Sequence, residues 1–126
     1  MEDPLYREVL LDHYWNPRNQ GTLPFPDATA EEDNPLCGDR VRLDLQFNNG
    51  TIQEVRFQGT GCAISQAAAS MLTEELKNKK TKDARTFGEN DMLKLLGVEI
   101  SPARLKCALL GWQALQRALR ERPKTT

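Results

Sequence analysis

The chain has 126 residues, with 17 lysines and arginines against 18 aspartates and glutamates and a formal net charge of −1. That length predicts one domain, residues 1–126, with a modest core. Interspersed charge gives no nucleic-acid footprint, no apolar run reaches the roughly 18 residues of a membrane span, and the acidic start MEDPLYREVLLDHY lacks a signal-peptide core, so a cytoplasmic protein is expected. The three cysteines are an odd number, and in a reducing compartment they are expected as thiols or ligands.

Residues 5–15 carry the first helical signal. Leu5, Tyr6, Val9, Leu10 and His13 recur at helical spacing and predict one apolar face. Pro17 disfavours helical geometry at Asn16 and closes the segment. His13, the only histidine, falls on that face, so a packed, hydrogen-bonded ring is expected there rather than a ligand. Residues 18–36, with Pro24, Pro26 and Pro35, read as irregular chain. In RVRLDLQF, Val41, Leu43, Leu45 and Phe47 alternate with polar residues and predict a half-buried strand. NNG supplies a hairpin turn, and TIQEVRFQG returns as the partner strand. Val55 and Phe57 share a face while Ile52 is out of phase with them, which predicts a bulge or a frayed start.

From residue 63 to 77 the pattern is helical again, through Ile64, Ala67, Ala68, Met71 and Leu72. Its alanines and serines let neighbours approach closely. KNKKTK, residues 77–82, reads as a solvated helix end. Residues 83–97 are ambiguous apart from NDMLKLLG, a short helix stopped by Gly97. Ser101 and Pro102 read as the N-cap and first position of a last helix running to about Arg120.

The cysteines sit at conspicuous places. In the last helix Leu105, Ala108, Leu109, Trp112, Leu115 and Leu119 form the apolar stripe, and at 100° per residue Cys107 points roughly 130° away from it. Its position near the helix start, beside Lys106 and one turn from Arg104, predicts a lowered thiol pKa. Cys62 precedes a helix, behind Gly59 and Gly61, which let the backbone fold tightly. Cys37 lies in NPLCGDR, with Asp39 two residues on. Three soft sulfurs and a carboxylate on turns and helix starts suit a four-coordinate zinc or iron–sulfur site. Inert buried cysteines are the competing reading, and no C-x-x-C spacing is present.

Four ordered stretches carry a family resemblance over nearly the whole chain: LYREVLLDHYWNPRNQG, NPLCGDRVRL, GTGCAISQAAASML and PARLKCALLGW. The sequence resembles the U-type iron–sulfur cluster assembly proteins, the IscU, SufU and NifU-like group. The resemblance implies an α+β fold, a small antiparallel β-sheet packed against several α-helices, in agreement with the hairpin and helices above. It implies that Cys37, Asp39, Cys62 and Cys107 surround a site for a [2Fe–2S] cluster or Zn2+, and that Cys62 is mobile enough to exchange ligands. It also implies a cysteine desulfurase partner that delivers sulfur as a persulfide, with Cys37 and Cys107 as candidate acceptors. Two features depart from the IscU pattern. Lys106 stands where IscU proteins carry histidine, as in SufU proteins, yet the extra segment usual in SufU between the second and third cysteine motifs is missing. The IscU chaperone motif Leu-Pro-Pro-Val-Lys is reduced to ISPAR, which argues against chaperone recognition.

Three functions follow as expectations. The first is a scaffold that binds iron, assembles a labile [2Fe–2S] cluster and passes it to apo-proteins or cluster carriers. The second is a zinc-bound persulfide acceptor that stimulates the desulfurase. The third is a structural zinc module.

Overall fold

The computed structural model describes residues 4–36 and 38–120; the sequence assignment at Cys37 therefore lies outside the described residues. The hairpin forms where NNG predicts it. Asn49 and Gly50 have φ values of 53° and 76°, the left-handed pair of a two-residue turn that matches strand twist. It joins β2 (Asp39–Asn48) to β3 (Thr51–Thr60), which pair antiparallel. Gln46 lies opposite Glu54 but Phe47 opposite Ile52, so Gln53 is an extra residue. This is the bulge that the phase of Ile52 calls for. It turns Ile52 onto the buried face with Val55 and Phe57.

A third strand departs from the sequence expectation. Within residues 18–36, read as irregular, Ala28–Asn34 forms β1, antiparallel to β2, so the sheet order is β1-β2-β3. ATAEEDN offers almost no apolar alternation; only Ala30 and Asn34 are buried. The strand is held by backbone pairing with β2, and its exposed Glu31 and Asp33 discourage further pairing at the edge.

Two helices lie on the inner face of the sheet, α2 (Ala63–Leu76) against β3 and α5 (Leu105–Arg120) against β1 and β2. They cover Val41, Leu43, Leu45, Val55 and Phe57, all fully buried. Each such aliphatic or aromatic side chain contributes roughly 1.5–3 kcal/mol relative to exposure. The small residues of α2 do what the sequence predicts: Gly111 of α5 lies so close to Ala69 that a Cβ on it would stand 3.5 Å from the Ala69 Cα. α1 (Pro4–Trp15) packs along α2. Its buried stripe is rotated from the expected one. Leu10 and His13 are buried and Tyr14 half-buried, while Leu5 is 66% exposed and Val9 is exposed too. A helix with one principal neighbour buries a narrower face than its apolar residues mark out.

KNKKTK is more ordered than a solvated helix end. The Ile52 amide donates to the Lys79 carbonyl at 2.8 Å, Asn78 to the Ile52 carbonyl at 2.8 Å, and Thr81 to the Gly50 carbonyl at 2.8 Å. The segment thereby covers one end of the β3 edge. The ambiguous stretch after it holds α3 (Thr81–Thr86) and α4 (Glu89–Leu96), the latter closed by Gly97 at φ 71° as predicted. Ser101 and Pro102 open the last helical segment, but as a short 3-10 turn (Pro102–Arg104) before α5. Among the described residues no helix is long and apolar enough to cross a membrane.

Candidate metal centre

Three elements meet at one corner. β2 begins with Asp39, α2 is preceded by Cys62 as its N-cap, and the first turns of α5 carry Cys107. Sγ of Cys62, Sγ of Cys107 and a carboxylate oxygen of Asp39 all lie within 4.8 Å of one another. Of the four sequence-predicted ligands, these three converge; Cys37 is outside the described residues, between Leu36 and Gly38.

The local backbone explains how Cys62 reaches the site. Its φ and ψ of −74° and 166° are extended, and its thiol does not cap the helix. Its carbonyl instead accepts from Ser65 Oγ at 3.0 Å and from the Gln66 amide at 3.2 Å. The sulfur is left to face Asp39, whose Oδ2 accepts from it at 3.6 Å. The other carboxylate oxygen, Oδ1, accepts from the Cys62 amide at 2.9 Å. Asp39 is 1% exposed. Two sulfurs and a carboxylate oxygen within reach of one ion are a donor set that fits a soft or borderline metal.

Cys107 corrects one expectation. It is 3% exposed, and its pKa is raised, not lowered. Burial is the largest cause, followed by its hydrogen bond with Asp39 and the nearby Cys62. The helix start and the neighbouring cations lose to desolvation and to acidic groups brought in from other elements. The helical phase was still informative, since Cys107 faces this corner rather than the main hydrophobic cluster.

The corner opens as a pocket of ≈ 280 Å³ lined by Asp39, Gly61, Cys62, Ala103, Arg104 and Cys107. Lys106 is exposed and does not line it; the lining cation is Arg104, which the sequence marked only as a neighbour. Two larger hollows, of ≈ 380 and ≈ 510 Å³, involve Glu31, Arg40, Arg42 and Arg117. Their lining arginines are paired, Arg40 with Glu31 at 3.7 Å, Arg42 with Asp44 at 3.0 Å and Arg117 with Glu32 at 3.5 Å, and no thiol lines them.

A three-stranded sheet backed by helices, presenting two thiols and a carboxylate at one open corner, defines a metal-capable α+β protein. The chain matches the NifU-like N-terminal domain over residues 5–126 and belongs to that family. It is 38% identical over 134 residues to the zinc-dependent sulfurtransferase SufU of Bacillus subtilis, covering 93% of this chain and 90% of that protein. It is 36% identical over 118 residues to the iron–sulfur cluster assembly scaffold protein IscU of Aquifex aeolicus, covering 92% of this chain and 74% of that one. Among solved structures, FiSufU from Fervidobacterium islandicum AW-1, described as a scaffold protein for the SUF system, superimposes with a TM-score of 0.73. That match has 30% identity and covers 89% of this chain and 94% of the other.

Proposed function

We propose that this chain is an iron–sulfur cluster assembly scaffold. It takes sulfur from a cysteine desulfurase and holds a labile [2Fe–2S] cluster, its cargo, on Cys37, Asp39, Cys62 and Cys107 for transfer to apo-proteins. The observation that carries the reading is the convergence of Asp39, Cys62 and Cys107 within 4.8 Å. A mixed sulfur and oxygen set suits a cluster that must leave, because the carboxylate is the harder and weaker partner for it. In the sulfur step a thiolate of this chain attacks the outer sulfur of the desulfurase persulfide. The persulfide S–S bond breaks, a new S–S bond forms here, and the desulfurase cysteine leaves as a thiolate. Cys37 and Cys107 are the candidate acceptors.

A second reading, a zinc-bound sulfur acceptor, is favoured by Lys106, which is exposed and outside the pocket lining. An ammonium there cannot replace a thiolate that swaps off the metal. Anaerobic incubation with iron(II), cysteine, a desulfurase and excess dithiothreitol, which supplies the electrons that take persulfide sulfur to sulfide, separates the readings. The scaffold gives a brown protein with matched iron and sulfide that transfers to an apo-ferredoxin. Colourless zinc protein that stimulates the desulfurase supports the acceptor. Tight zinc with no desulfurase effect overturns both in favour of a structural module.

A further inference from the structure

Between Thr60, the last residue of β3, and Cys62, the N-cap of α2, stands Gly61, with φ +136°. An L-residue rarely adopts that angle. More telling is what surrounds it. A Cβ on Gly61 would lie 2.1 Å from Asp39 Oδ1, 2.7 Å from its Cγ and 2.9 Å from its Cα. The space that a side chain would need is filled by the Asp39 carboxylate itself. That carboxylate is seated against the backbone of residues 61 and 62, where the Cys62 amide donates to Oδ1 at 2.9 Å.

We infer that Gly61 is a positioning residue for Asp39, and that it fixes which oxygen the carboxylate offers. With Oδ1 tied to the Cys62 amide, Oδ2 is the oxygen that faces Cys62 Sγ, so Asp39 serves as a one-oxygen ligand. The same contact links the carboxylate to the N-terminus of α2, so Asp39 and Cys62 move as a unit. This deepens the metal-centre reading and rests on it.

Cobalt(II), which reports thiolate and oxygen ligation separately in its visible and near-ultraviolet bands, tests the inference. The full chain, Asp39→Ala, Gly61→Ala and Gly21→Ala are each titrated with cobalt. Gly21 is the strain control: its φ is +132°, yet nothing lies within 4 Å of where its Cβ would be. Gly61→Ala is expected to keep the thiolate charge-transfer band, to shift its ligand-field bands to those of Asp39→Ala, and to bind cobalt about tenfold or more weakly. Gly21→Ala is expected to give the unmodified spectrum. A metal-independent arm follows amide exchange at Cys62, which Asp39→Ala should accelerate about tenfold or more through loss of a charge-assisted hydrogen bond. This arm stands even if Gly61→Ala fails to fold. Should Gly61→Ala give the unmodified cobalt spectrum, or should Cys62 exchange be indifferent to Asp39, the inference is overturned while the metal centre survives. Absence of cobalt binding by the unmodified chain overturns the metal centre and this inference together.

Discussion

At the scale of single residues, the informative groups are charged ones placed where charge is expensive. Asp44 sits on the outward phase of β2 yet is buried. Thr29 Oγ1 donates to it at 2.6 Å, the Leu23 amide at 3.0 Å and Arg42 Nε at 3.0 Å. Burial raises its pKa, but the hydrogen bonds from Thr29, Leu23 and Arg42 outweigh it, and the net shift is downward. One carboxylate therefore fastens both the loop before β1 and β1 itself to the central strand. Asp44→Ala should destabilise the chain by about 2–3 kcal/mol by leaving the Leu23 amide unpaired. The folded pKa lies below the usual 3.8, so this contribution is full above that value and is lost as pH falls through the lowered one. Urea midpoints between pH 5 and pH 2.5 check it: Asp44→Asn should flatten the acid limb. Parallel limbs would leave Asp44 without this role.

Arg104 is informative for a different reason, since it is exposed yet borders the site. It lines the thiol pocket, whereas Lys106, next in sequence to Cys107, is exposed outside it. A guanidinium at the pocket should attract anionic reagents to Cys62, the half-exposed thiol. The ratio of alkylation rates with iodoacetate and iodoacetamide measures this independently of the thiol's own ionisation. Arg104→Ala should lower that ratio about two- to fivefold at low salt, and Lys106→Ala by less, with both effects fading at high salt as screening sets in. A larger effect from Lys106→Ala would restore the role that adjacency in sequence suggests.

Among the elements, α2 and α5 depend on small residues where they cross. The Cβ of an alanine at position 111 would meet Ala69 Cα at 3.5 Å and Ala69 Cβ and Leu72 Cδ2 at 3.6 Å, ordinary contact distances. Gly111→Ala should therefore gain the helix propensity of alanine, about 0.5–1 kcal/mol, seen as a rise of up to about 5 °C in Tm. Gly111→Leu should wedge the helices apart at about 1–3 kcal/mol. A loss of stability with alanine would mean that the crossing is tighter than these distances imply.

Elements were legible in the sequence where one residue type repeats at a fixed period. The β2–β3 hairpin, its bulge at Ile52, α2 and α5 announce themselves through Val41, Leu43, Leu45 and the stripes on the helices. β1 does not, because an edge strand whose inward residues are Ala30 and Asn34 has no period to read. α3 is too short for a helical repeat to declare itself. The grouping of Asp39, Cys62 and Cys107 was legible as chemistry, since the two cysteines stand at helix starts and all three fall in the family motifs. Its electrostatics were not. The direction of the Cys107 shift depends on Asp39 and Cys62, which lie far away in sequence and close in space. Gly61 reads as a flexible corner, whereas its neighbour in space is a carboxylate 22 residues earlier.

For the whole molecule, α1 stands out as the helix with one principal packing partner. It packs along α2 and is held there by Leu10, Tyr14 and a polar cluster. His13 Nδ1 and Ser70 Oγ are 2.7 Å apart, Ser70 Oγ also accepts from the Arg18 amide at 2.8 Å, and Asn19 Nδ2 donates to Thr73 Oγ1 at 3.1 Å. Burial and Arg18 lower the His13 pKa, with Glu74, 3.4 Å away, and Asp12 opposing them. The ring is thus neutral in the docked helix, and protonating it charges a buried group. Because the folded pKa is below the unfolded 6.5, stability from this group is fully present above pH 6.5 and is lost as pH falls through the lowered value. Amide exchange should locate that loss: from pH 7.5 downward, after correction for intrinsic rates, protection in α1 should drop before that of α2 and the sheet. His13→Asn should be less stable than the unmodified chain at pH 7.5, having lost part of the ring's packing, but should show a flatter dependence through this range. If α1 and the sheet lose protection together, or if His13→Asn keeps the same slope, the pH dependence belongs to other groups and α1 is bound into the core more firmly than its contacts suggest.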